Sequence, residues 1–171
     1  MTQHLACYLM EPRWLSSDPV FKVFILKEAL CGIRLGGMLV SDGAFICVMR
    51  GVQSVPGLPG RVKYHKQRAD RNRIEIEARY SAIDPMSEEF LAGDPANFRV
   101  VRPEVAAIEI RGKPTWWTGK LDSGSLNITF TNGSRKRYII IDRQDQHRLV
   151  ESLDWRGWPA YLRNGIAIMP K

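Results

Sequence analysis

The sequence is poor in the features that announce chemistry. Its three cysteines, Cys7, Cys31 and Cys47, are odd in number and form no CxxC pair, which argues against a disulfide framework and a cysteine zinc site. Its three histidines, His4, His65 and His147, lie far apart without metal-ligand spacing. HExxH, GxSxG, GxGxxG and P-loop patterns do not occur, and Gly119-Lys120 lacks the upstream glycine and the following Ser or Thr. No catalytic residue, metal or cofactor is therefore expected. Long apolar runs are also missing. The longest segment without a charged side chain is Ser123 to Ser134, twelve residues and mostly polar. A membrane-spanning helix needs about 20 apolar residues. The start, MTQHLACYLMEPRW, has no cationic lead and no apolar stretch ending in a cleavage site. It reads as a cytoplasmic start that packs as a strand.

What is present is an ordinary globular composition. The chain has 171 residues, 44% hydrophobic and 25% charged. That length suits one domain over 1–171, large enough to bury a core without staples. The net charge of +7 is local: Arg61 to Arg73 holds six bases (Arg61, Lys63, Lys66, Arg68, Arg71 and Arg73) and one acid, Asp70, leaving +2 for everything else. Such a cluster suits nucleic acid, an acidic lipid headgroup or an acidic protein.

Along the chain the patterning is mainly that of strands. Val20 to Lys27, Ile33 to Val40 and Ala44 to Met49 are apolar runs bounded by turn residues. Gly51 to Gly60 is rich in glycine and proline and leads into the basic segment, so 51–73 reads as an excursion loop. Arg73 to Tyr80 alternates, with Ile74, Ile76, Ala78 and Tyr80 against Arg73, Glu75, Glu77 and Arg79, and reads as a half-buried strand. Asp84 to Leu91 reads as a short helix, capped by Asp84 with Pro85 at its first position. Asn97 to Val101 and Val105 to Arg111 read as strands broken at Arg102-Pro103. Leu126 to Thr131, Asn132-Gly133 and Ser134 to Ile141 form a hairpin around a turn that tolerates positive φ. Asp142 caps a final helix with Leu149, Val150 and Leu153 as its apolar stripe, ending near Gly157. A last strand is expected at Gly165 to Met169.

The expected fold is thus mainly β, of α+β type, with a short mid-chain helix and a C-terminal helix. Asn97-Phe98-Arg-Val-Val, Val105-Ala-Ala-Ile-Glu-Ile, Gly124-Ser-Leu-Asn-Ile-Thr-Phe with Asn132-Gly133, Tyr138-Ile-Ile-Ile and the helix Gln144 to Leu153 follow one another in an order that resembles the pleckstrin-homology-like fold, in particular its uncharacterised bacterial members. The resemblance covers about residues 80–155. It implies an antiparallel bent sheet or partly open barrel with one end plugged by the helix, and it implies binding rather than catalysis. Members that bind phosphoinositides use basic residues in the loop after the first strand. Lys27-Glu28-Ala29-Leu30, with one base and one acid, departs from that pattern.

Two constellations are candidate binding sites. The basic segment, with Tyr64 and His65 interleaved, suits phosphates and stacking on bases. The alternative is a solvated segment whose charge aids solubility. In Lys113-Pro-Thr-Trp-Trp-Thr-Gly-Lys120, an extended chain would point Trp116 and Trp117 to opposite faces, leaving one for a partner or for packing under another element. Glu75 and Glu77 would share a strand face, but flanking Arg73 and Arg79 would keep both ionised, which removes a general acid. The expected function is a non-enzymatic binding or scaffold module with an unknown protein partner. The alternative is an anionic ligand held by the basic segment. A free sheet edge would offer a route to self-pairing.

Overall fold

The structure is a computed structural model. It describes residues 5–13, 18–36, 58–115, 122–141 and 144–163, with the backbone alone for 58–67 and 69. Among the described residues, eight strands form one sheet: β1 (Ala6–Met10), β2 (Val20–Ile25), β3 (Ala29–Gly36), β4 (Phe98–Val101), β5 (Val105–Arg111), β6 (Ser125–Phe130), β7 (Arg135–Ile140) and β8 (Ala160–Leu162). Three helices among the described residues accompany it: α1 (Leu58–Tyr80), α2 (Glu88–Ala92) and α3 (Gln146–Trp155). The sheet order is β4-β3-β2-β1-β7-β6-β5-β8. Every pairing is antiparallel except β5 with β8.

Chain connectivity forces this sheet to roll. β4 and β5 are six places apart in the order, about 29 Å in a flat sheet. Only the 3-10 turn Arg102–Glu104 joins them, and four residue steps reach at most about 14 Å. The sheet is therefore strongly bent, though not closed. Trp158, the largest fully buried side chain among the described residues, sits inside the bend and donates from its indole Nε1 to the Leu26 carbonyl at 2.8 Å. Leu149 and Leu153 of α3 join the same inner core with Phe21, Val23, Ile108, Ile128 and Tyr138.

The outer side of β1–β3 is apolar as well. Met10, Val20, Cys31, Ile33 and Leu35 pack with Tyr80 of α1 and Phe90 of α2. Strands buried on both faces need unbroken apolar runs, which is why β2 and β3 do not alternate in sequence. Inside, the Phe98 ring lies on Gly32, where an added Cβ would sit 2.3 Å from it. That ring stacks on Tyr138 and meets Phe21 edge-on.

Several expectations hold. The amino terminus packs as β1, the hairpin turn carries Gly133 at φ +82°, and Gly157 at φ +77° follows the last helix. Others need correction. Residues 58–73, expected as a loop, and Arg73 to Tyr80, expected as a strand, are one helix, α1. Alternation would bury Ile74 with Ile76, but Ile74 is 67% exposed. The docked positions are Arg73, Ile76, Glu77 and Tyr80, a helical spacing. Ser87, not Asp84, caps α2 by accepting from the Phe90 amide. Asp84 instead accepts from the amides of Met86 and Ser87, its side chain and backbone forming the preceding turn. Asp145 caps α3, whereas Asp142 lies outside the described residues. So do the strands expected at 37–40, 44–49 and 165–169.

Candidate functional site

The six bases of the candidate cluster all lie on α1, which displays them at helical intervals. At about 100° per residue, positions 61, 68 and 71 fall on the side away from the docked stripe, with 64 among them and 65 nearer the stripe. Positions 66 and 73 fall on the sheet side. Arg68 and Arg71 are exposed. The six bases therefore do not form one patch, and Arg73 has a separate task.

That task is anchoring. Glu77 receives hydrogen bonds from Lys22 Nζ at 2.6 Å, Arg73 Nε at 3.0 Å and Tyr8 Oη at 3.3 Å. The Arg73 guanidinium also lies over the Tyr8 ring, 4.2 Å from its centre. Burial pushes the Glu77 carboxyl up, but the hydrogen bonds and charges of Lys22 and Arg73 outweigh it and hold Glu77 below its ordinary value. The clamp fixes the last turns of α1 to β1 and β2. Glu75, expected to share a face with Glu77, is exposed on another side of the helix. Ionisation of Glu77 was legible from its arginine neighbour; its link to Lys22 and Tyr8 was not, because that contact spans 55 and 69 residues.

Trp116 and Trp117 lie outside the described residues, but the clasp that bounds their segment is well described. Asp122 is buried and accepts from the Thr115 amide at 2.9 Å, the Thr115 hydroxyl at 2.6 Å and the Gly124 amide at 2.7 Å. One carboxylate thus ties the residue before the Trp segment to those after it. Asp and Thr occur widely in loops, so nothing in the sequence singled out this pair.

A surface missed by sequence reading is Trp155, 82% exposed at the end of α3. The Arg156 guanidinium lies 5.2 Å from its ring centre. With Glu151, Ser152 and Asp154 they line an open hollow of about 480 Å³. The helical stripe of Leu149 and Leu153 places position 155 off the buried face, a signal the sequence does contain.

Cys7 and Cys31 are buried and free. Burial pushes their thiols up to about 12 and about 11, respectively, so they act as small apolar residues. No group of three or more His, Cys, Asp or Glu among the described residues could hold a metal ion, and no described helix is long and apolar enough to cross a membrane. Comparison with models of protein families, with curated proteins and with solved structures matches none of them.

Proposed function

We propose that this chain is a non-enzymatic binding module of pleckstrin-homology-like build, which holds an anionic partner on the basic turns of α1. The observation that carries this reading is the way α1 is mounted. Its described contacts with the sheet come from Arg73 onward, and Arg68 and Arg71 before them are exposed. A helix presents charges at set spacings and loses less entropy on binding than a loop would. The strand order, the bend of the sheet and the inward stripe of α3 support the pleckstrin-homology-like part. The binding reading is further supported by the titrating groups. Glu77 and Glu109 are both held below their ordinary values among cations, so neither is a proton donor at neutral pH. A cytoplasmic location belongs to the proposal, and the free thiols of Cys7 and Cys31 suit a reducing compartment.

The test replaces Arg61, Lys63, Lys66, Arg68 and Arg71 by Gln and leaves Arg73, part of the clamp, intact. Three probes are offered: an oligothymidylate, polyglutamate, and vesicles containing phosphatidylserine. The wild type should bind at least one of them, more weakly as salt rises, and the variant should lose that binding. No binding by the wild type, or equal binding by the variant, would refute the reading.

A second reading, a protein contact, is favoured by Trp155. Exposed Trp beside Arg is the composition of an interface hot spot. Trp155→Ala should leave the melting temperature unchanged and remove a co-purifying protein from affinity capture. An identical captured set would sink this reading.

A further inference from the structure

The outer sides of the two halves of the sheet differ in kind. The half made of β1–β3 is covered by α1 and α2. On the half made of β7, β6, β5 and β8, the residues that alternate outward are Arg135 and Arg137, Asn127 and Thr129, Glu109 and Arg111, and Tyr161 and Arg163. Register places Arg137, Asn127, Glu109 and Tyr161 in one row across four strands. Arg111 and Arg163 belong to the next row towards the far end of β5. Among the described residues, four guanidiniums thus stand on this face against one carboxylate. Glu109 is bonded by Arg111, Arg163 and Tyr161. No carboxylate among the described residues pairs with Arg135 or Arg137, and both are exposed. In the middle, Asn127 Nδ2 is buried without a hydrogen-bond partner. Like charges gathered on one face with a single counter-charge between them destabilise a fold, and an unpartnered buried donor adds to that cost. An anion on this face would relieve the uncompensated charge of Arg135 and Arg137.

We infer that the outer face of β5–β8, through Arg111, Arg135, Arg137 and Arg163 around Asn127 and Tyr161, binds single-stranded nucleic acid. This rests on the proposal of an anionic partner and names its class. Arg135 and Arg137 are two residues apart on one strand, about 6.8 Å, and suit successive phosphates of an extended strand. Tyr161 is partly exposed, and together with the planar guanidiniums it offers surfaces on which unpaired bases stack. Acidic protein would use the charges but not the stacking surfaces. The basic helix runs in the direction of this face. Followed towards its amino terminus, α1 meets Asn97 beside β3 with Tyr80, then Lys22 of β2 and Tyr8 of β1 with Glu77, then Tyr8 with Arg73. The next strand in the order is β7. The basic turns thus head to the same side of the molecule as the arginines.

The experiment uses the full chain and a fluorescein-labelled oligothymidylate of about twenty nucleotides, titrated between about 50 and 200 mM salt. Arg135→Gln with Arg137→Gln should weaken binding about tenfold and lower the salt slope by about 1.4, since each phosphate contact to a single strand contributes about 0.7. Lys136→Gln removes a charge from the same strand but from its inner face, where Nζ lies over the Phe98 and Tyr138 rings; it should change binding less than about twofold. Thermal melts show that the variants fold. Equal loss in Lys136→Gln, or none in the arginine pair, overturns the inference. If the α1 variant loses oligothymidylate while the arginine pair keeps it, the helix reading stands and this one falls. If the wild type binds only vesicles or only polyglutamate, this inference again falls alone. If it binds none of the three probes, both fall.

Discussion

Replacing Glu77 by Gln tests the claim that an ion cluster, rather than apolar contact alone, holds α1 on the sheet. The cluster is half-buried: Lys22, Arg73 and Glu77 keep between about a fifth and a quarter of their side-chain exposure. Fully exposed pairs contribute about 0.2–1 kcal/mol, whereas breaking a buried pair costs about 3–5 kcal/mol. Gln keeps the shape and a polar contact with Tyr8 but leaves Lys22 and Arg73 without their counter-charge. The expected loss is about 2 kcal/mol, roughly a thirtyfold fall in the folding constant. Urea unfolding at neutral pH and fixed salt measures it, with exposed Glu75→Gln as a control expected within about 0.5 kcal/mol of wild type. The pH dependence gives a second readout. Glu77 is held below its ordinary value of 4.5 in the folded state. Its contribution is therefore complete above that value and is lost as pH falls through the lower, folded one. The Gln variant cannot lose it. The gap between wild type and variant should thus be constant from neutral pH down to about 5, then close as the solution becomes more acid. A loss under about 0.5 kcal/mol at neutral pH, or a gap unchanged in acid, refutes the electrostatic anchor.

Three further outcomes follow from the packing. Asp122→Ala strands the Thr115 and Gly124 amides and should cost about 2–3 kcal/mol in urea unfolding, with faster hydrogen exchange at Gly124 by mass spectrometry. Gly32→Ala drives a methyl group into the Phe98 ring; an overpacking loss of about 1–3 kcal/mol is expected, and Phe98→Leu in the same background should recover part of it. At pH 8 the thiols of Cys7 and Cys31, raised to about 12 and about 11, are almost wholly protonated, so a disulfide reagent should leave both unreacted until urea is added.

The sequence was most legible where neighbours along the chain determine structure. The β6–β7 hairpin follows from alternation and from Asn132-Gly133, because positive φ at Gly133 is a local demand. The stop near Gly157 and the Leu149–Leu153 stripe are local in the same way. The segment 58–80 was not legible, since Arg73 to Tyr80 satisfies a period of two as well as a helical one. What decides between them is the apolar outer face of β1–β3, which accepts the stripe of Ile76 and Tyr80 and lets Ile74 face water. The candidate surface divides likewise. Basic residues at 61–73 are plain in the sequence, but their separation into an anchoring Arg73 and outward Arg68 and Arg71 needs the helix and the sheet beneath it.

Local chemistry by itself determined a mainly β chain with two short-range helices, one hairpin and one basic segment. Only the tertiary structure decided that β4 and β5 meet across a bent sheet, that Trp158 is buried while Trp155 is exposed, and that three arginines from β5 and β7 and one just past β8 share one face. The physical reason is the same each time. These outcomes depend on contacts between residues far apart in the chain, whose free energy is set by which surfaces the folded sheet has left to cover.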